Sequence, residues 1–404
     1  MIEWEQNMEK VQPQEIDRRL ARFQTDLAAH DLDGALLFQN VDIFYFAGTI
    51  QSSILFIPTQ GNPTLMVQKG IERVKEECPL KNIIAVNGRS SLSRTLRDFG
   101  IHGIQRLGLE MDVLPAQLYL WVAETFPQCR FVDVSLPIRK LRMIKSSYEI
   151  DQIRKAAAVL HKGFTEIQAF IREGVSELEI DGRLAFIARR EGHMGILRMR
   201  GWNQEMTYAH VLSGDSGSVV TFLNSPHGGS GNTPAMAQGA SFRQIRTNEP
   251  IGIDYGVGIN GYLADQFRTF VIGELPPDLE KAHQCSKEIH ELFVREAKPG
   301  ISCPELYAMA KDFASRRGLG DSFMGHGEGQ VRFIGHGLGL EIDEFPVIAP
   351  NFEAELANDM VLAFEPKFVF PGQGVVGMED DYVVTPSGVE RLTLTDQILI
   401  KLKP

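Results

Sequence analysis

The chain has 404 residues, 43% of them hydrophobic and 23% charged, with a formal net charge of −11. That length holds two or more domains with sizeable cores, and the composition is that of a soluble globular protein. The acidic balance argues against nucleic acid as the main partner, and the longest apolar runs are too short to cross a bilayer.

The N-terminus, MIEWEQNMEK, is charged and lacks the apolar stretch of a signal peptide. Cys78, Cys129, Cys285 and Cys303 are scattered without paired spacing, which points to free thiols and a cytoplasmic location. A first helix with apolar Leu20, Phe23 and Leu27 leads to the strand GALLF, ending near Phe38. YFAGT, SSILFIP and PTLMV follow as short apolar strands with turn residues between them. This first third reads as a compact α/β unit and carries no cluster of catalytic residue types.

The basic segment PIRKLRMIKSSYEI, residues 137–150, reads as a hinge that ends in a capping box, Ser146 with Glu149. An amphipathic helix follows, with Ile150, Ile153, Ala157, Leu160, Phe164 and Ile167 at helical spacing. Capping boxes at Ser176/Glu179 and Ser302/Glu305 start two more helices, running through Arg190 and to about Arg317. Residues 213–239, rich in Gly, Ser, Thr and Asn, read as a long loop with one strand, VVTFL.

Two stretches echo each other. IGIDYGVGINGYLADQFRTFVI is a pair of strands around the turn Asn260-Gly261. MVLAFEPKFVFPGQGVVGMEDDYVVT is a pair around Pro371-Gly372. In the first, a turn centred on Asn260-Gly261 sets Gly256 opposite Asp265 and Asp254 opposite Phe267. Asp254 and Asp265 are then diagonal neighbours on one face, and a register shifted by two would set them directly opposite on that same face. In the second, Glu365 and Glu379 are equidistant from Gly372 and face each other. Like charges so placed are destabilising unless something positive lies among them. His336, in FIGHGLGLEI, has glycines on both sides that permit close backbone approach. Singly, each residue has an ordinary explanation: a strand-edge aspartate, a packed histidine, a solvated acid in MEDDY. Their spacing as a set is what points to a centre for divalent cations. An imidazole among carboxylates without thiolate suits Mn, Co, Fe or Zn.

At these residues the chain resembles the M24 metallopeptidase family of prolidase, aminopeptidase P and methionine aminopeptidase. The matching pieces are IDYG, GYLADQFRTF, GHGLGLEIDEFP, AFEP and GMEDDYVVT. The resemblance implies an α/β N-terminal domain of the creatinase/prolidase type over residues 1–143. It implies an α+β pita-bread catalytic domain over residues 144–404. It further implies two divalent metal ions, with Asp254 chelating one, Asp265 and Glu379 bridging both, and His336 and Glu365 holding the other. A metal-bridging hydroxide would attack an amide carbonyl, with Glu365 moving the proton. The expected activity is that of an aminopeptidase or dipeptidase of Xaa-Pro type, in a homodimer.

Three departures from the family pattern concern the substrate. Asp343 stands where a second histidine follows the GHG motif. Gly377 stands where an arginine precedes the last glutamate. No histidine occurs in PAMAQGASFRQ, ahead of the first metal aspartate. An ionised carboxylate cannot donate to a substrate carbonyl as an imidazole can. Candidates to take over are His227, His326 and Arg332, with His210, Arg198 and Arg200 in neighbouring loops; Asp343, a substrate-binding candidate of another kind, either favours a substrate with a cationic amine or hydrogen-bonds inside the protein. The departures also admit hydrolysis of a non-peptide amide or other C–N bond, as in creatinase-like and ectoine-hydrolase-like relatives. A non-enzymatic binding module is the remaining reading, and the complete five-residue set argues against it.

Overall fold

The structure is a computed structural model that describes residues 9–88, 91–98, 103–207 and 209–403. The chain divides into two compact units, Met1–Arg142 and Met143–Pro404.

In the first unit the order is α1 (Pro13–Ala29), β1 (Gly34–Leu37), α2 (Asn40–Ala47), β2 (Ser53–Pro58), β3 (Thr64–Val67), α3 (Ile71–Glu77) and β4 (Asn82–Ala85). Then come α4 (Leu92–Asp98), β5 (Arg106–Leu109), α5 (Ala116–Thr125), β6 (Arg130–Asp133) and α6 (Ser135–Met143). The strands form one mixed sheet, β4-β3-β2-β1-β5-β6. Helix α1 buries Ile16, Leu20, Phe23 and Leu27, the face its spacing indicates. YFAGT, expected as a strand, is instead the end of α2 (Tyr45–Ala47) and its cap. The Gln39 side chain accepts from the Val41 and Asp42 amides at the N-terminus, and Gly48 closes the helix with φ 73°. Local apolar content resembles a strand there, but the two caps select a helix.

The second unit begins with α7 (Ser147–Ile167) and α8 (Glu177–Arg190), followed by β7 (Ala209–Ser213), β8 (Ile251–Ile259) and β9 (Tyr262–Ile272). It continues with α9 (Pro277–Glu296), α10 (Cys303–Arg316), β10 (Gly335–Gly337) and β11 (Glu344–Val347). Last come β12 (Val361–Phe364), β13 (Lys367–Phe370), β14 (Gly374–Gly377), β15 (Asp380–Thr385), β16 (Gly388–Arg391) and β17 (Ile400–Leu402). All three capping boxes are present, at the starts of α7, α8 and α10. Helix α9 has no counterpart in the sequence expectations; it buries Leu279, Ala282, Ile289 and Phe293. One order of elements thus occurs twice: a helix pair, then strands. Helix α7 lies on β8 and β9, and α9 lies on β13, β14 and β16. The sheets are β17-β9-β8-β7, β11-β10-β12-β15-β16 and the ribbon β13-β14.

Residues 137–150, expected as a hinge, contain the boundary between the two units and are helical at both ends, and the Lys145 amide donates to the Asp359 carbonyl at 2.9 Å. One further expectation is corrected. VVTFL is not a strand: a short 3-10 turn, Gly214–Ser218, precedes irregular backbone. Val219, Val220 and Phe222 are exposed there, so β-branched composition gains no sheet partner or burial. The start of this loop and the backbone just past its end are held by the buried Glu177 carboxylate. It accepts from the amides and hydroxyls of Ser213 and Ser241.

Candidate metal centre and active site

The β8–β9 ladder pairs Gly256 with Asp265 and Asp254 with Phe267, the register of a turn centred on Asn260-Gly261 and not the one shifted by two. Both aspartates therefore face the same way. The other ribbon is broken by Pro366 into two ladders that keep a common register, Phe364 with Asp380 and Lys367 with Gly377. Glu365 and Glu379 fall opposite each other in the gap between them. The two ribbons are joined through backbone: the Glu379 amide donates to the Phe267 carbonyl at 3.1 Å. Arg268 Nη1 donates to the carbonyls of Phe267 and Glu379, both at 2.8 Å, and Nη2 to Asp380 at 2.7 Å. Burial pushes the Asp380 carboxyl up, but Arg268 and His290 outweigh it and hold the group below its ordinary range.

His336 lies on β10, paired with Ala363 of β12. A Cβ on Gly337 would lie 2.1 Å from the Phe345 carbonyl, so only glycine allows this approach. The Gly337 carbonyl accepts from Nδ1–H at 3.1 Å, which leaves the Nε2 lone pair directed to Glu365 Oε1 at 3.6 Å and Glu379 Oε1 at 4.0 Å.

The residue that the sequence reading omits is Lys367. Its ammonium donates to Asp254 Oδ2 at 3.0 Å, Glu365 Oε2 at 2.8 Å and Glu379 Oε2 at 2.6 Å. The Phe267 ring centroid is 4.9 Å away. Burial alone would neutralise this amine; the three carboxylates overcome that and hold it charged. Asp254 is likewise held well below its ordinary range, against its burial, by Lys367 and His227. For Asp265, burial and the Asp254 charge outweigh the Lys367 charge and push its carboxyl well up. A sequence signal for Lys367 exists: it stands two residues after Glu365, the spacing that shares a face on a strand.

Donor atoms of Asp265, His336 and Glu379 lie within 4.8 Å of one another. At bond lengths of about 2.0–2.2 Å, such atoms surround one divalent ion with little movement. The donor set thus fits a metal on the His336 side. On the Asp254 side, Asp254 Oδ2, Glu365 Oε2 and Glu379 Oε2 are engaged by Lys367.

A cavity of about 190 Å³ opens on the centre. Asp254, Asp265, His336, Glu365, Glu379, His210 and Asp343 line it, with an apolar wall that includes Leu197, Met199, Met206, Phe333 and Ile342. Asp343 accepts from the Arg200 amide at 3.0 Å. His227, in the loop that follows β7, places Nε2 2.9 Å from Asp254 Oδ2; it is buried and lines a second cavity instead of the main one. An imidazole thus does stand beside the first aspartate, although PAMAQGASFRQ has none. His210 is the cross-strand partner of Asp254, and Gln238 Oε1 accepts from its Nε2 at 3.2 Å. Burial and the neighbouring His227 push His210 down to about 4, so its ring is neutral near pH 7. His326 contacts the Ser218 carbonyl and lines that second cavity, with residues 218–221 and 223–228. Arg332 is exposed, and neither it nor Arg198 is among the residues that line the main cavity.

Residues 151–386 match the model of metallopeptidase family M24, and residues 19–144 match the creatinase/prolidase N-terminal domain. The chain belongs to metallopeptidase family M24: it is a metallohydrolase with a pita-bread catalytic fold. Among relatives, it is 26% identical over 388 residues to a Xaa-Pro dipeptidase of Pyrococcus furiosus, covering 95% of this chain and 99% of that one. It is 28% identical over 372 residues to an uncharacterised peptidase of Bacillus subtilis, covering 92% and 96%. Among solved structures, a Xaa-Pro dipeptidase from Bacillus anthracis superposes with a TM-score of 0.82 at 27% identity, covering 96% of this chain and all of that one.

Proposed function

We infer that this chain is a metal-dependent aminopeptidase or dipeptidase of Xaa-Pro type, cleaving the N-terminal peptide bond of a short substrate. The observation that carries the reading is the cavity, which joins a cation-binding carboxylate–imidazole cluster to an apolar wall in one small space. Asp265, His336 and Glu379 would hold a divalent ion, which would supply Lewis acidity for water and for the amide carbonyl. Glu365, whose Oε1 faces the His336 ring, is placed to move a proton between water and the departing amine. Leu197, Met199, Met206 and Phe333 offer a surface for a proline ring or an apolar side chain. The neutral His210 ring can accept from an amine or, after rotation, donate to a carbonyl.

A second reading keeps the hydrolysis and changes the substrate to a non-peptide amide or C–N bond. Asp343 and Gly377, in place of the family's histidine and arginine, favour it, because a carboxylate and a glycine cannot hold a substrate carboxylate. The test is a panel of Xaa-Pro dipeptides and longer Xaa-Pro peptides set against cyclic and guanidino amides. The peptidase reading expects the highest kcat/KM on a Xaa-Pro peptide. Turnover confined to the amides would transfer the assignment to the second reading. Family likeness supports a homodimer, to be checked by light scattering on the eluting peak.

A further inference from the structure

We propose that Lys367 is a built-in replacement for one of the two cations, so that the chain takes a single divalent ion, bound by Asp265, His336 and Glu379.

An ammonium has three protons, and each is directed at a different carboxylate, Asp254, Glu365 and Glu379, at 2.6–3.0 Å. A divalent ion bound to the same oxygens would stand about 2.1 Å from each, where the nitrogen now is. Ammonium and ion therefore exclude each other. Glu365 and Glu379 are two-faced: each turns Oε2 to Lys367 and Oε1 toward His336 Nε2. They bridge the ammonium to the position that suits a metal.

Lys367 is also fixed in place. Its side chain is 1% exposed, and its strand partner is Gly377. A Cβ on Gly377 would lie 2.7 Å from the Pro366 carbonyl, 2.9 Å from Lys367 Cα and 3.2 Å from Lys367 Cγ. The lysine stem thus runs through space that any side chain at residue 377 would claim. A side chain at 377 would press on the Pro366 carbonyl, the Lys367 backbone and the lysine stem, and this chain pairs the lysine with a glycine there. Asp254, on this account, ligates no metal; it positions the ammonium together with His227.

The experiment is metal counting on the full chain, loaded with Mn(II), desalted and analysed by elemental analysis, titration calorimetry and electron paramagnetic resonance. The wild type should hold about one ion per chain and give an uncoupled Mn(II) spectrum. Lys367→Gly should rise to about two, with a spin-coupled pair. Asp254→Asn should keep the single ion, whereas Asp265→Asn should lose it. Two ions in the wild type, none in the wild type, or a lost ion in Asp254→Asn would each overturn the proposal. Should Lys367→Gly fail to fold, the wild-type count and the two aspartate variants still decide. None of these readouts depends on which substrate is cleaved, so a failed peptide assay and a failed metal count are distinguishable.

Discussion

A single methylene-bearing stem decides much of the chemistry of this centre. Four carboxylates in one buried space repel each other unless positive charge lies among them. Lys367 supplies part of it from within the chain, and Gly377 makes room for it. Gly377→Ala should therefore destabilise the protein by about 1–3 kcal/mol, because its Cβ meets the Pro366 carbonyl and the lysine stem. Denaturant unfolding measures this, and a neutral result would show that the ribbon yields easily. At the cavity rim, Asp343 carries the charge that distinguishes this pocket from one lined by histidine. Asp343→His should raise kcat/KM on Xaa-Pro dipeptides relative to substrates with a cationic amine, by about 10-fold or more. Unchanged preference would remove Asp343 from substrate recognition.

At the scale of elements, the helices that carry the strands are fixed by short local signals. The capping boxes of α7, α8 and α10 satisfy N-terminal amides reciprocally, and Glu177 in α8 also ties down the loop between β7 and β8. One position in α8 works against stability. Burial alone raises the Asp181 carboxyl to about 6. A carboxyl raised in the folded state costs nothing below its unfolded value, near 4. Its penalty grows as pH rises through about 6, where the folded group must ionise. Asp181→Asn should thus stabilise the protein at pH 7–8, by up to about 2–3 kcal/mol, and by little at pH 4. Thermal melts across that range check it; a gain independent of pH would point to packing instead.

The whole catalytic unit is two copies of one plan, with the centre where the two strand ribbons meet. Because Lys367 and Arg268 bind the ribbons without any metal, chelation should remove activity without unfolding the chain. Treatment with a chelator should lower the unfolding free energy by no more than about 3–4 kcal/mol, the linkage expected of one tightly held ion. Activity should return on adding Mn(II). Loss of the far-ultraviolet circular dichroism signal on chelation would show that the ammonium does not hold the ribbons together.

The amino-acid sequence by itself determined the elements whose cause is local. A two-residue turn at Asn260-Gly261 fixes which residues of β8 and β9 share a face, and Ser-x-x-Glu spacing fixes three helix starts. It also brought Asp254, Asp265, His336, Glu365 and Glu379 forward as a set, because like-charged residues on apolar strands demand a common explanation. Only the tertiary structure decided what lies among them. Pro366 splits one apparent strand between two ladders, and the β8–β9 ribbon brings Asp254 within 3.0 Å of a lysine on the other side of that break. His227 reaches the same aspartate from a loop without periodicity. Such contacts join residues far apart in the chain through packing of separate elements, and no local pattern encodes the distance between them.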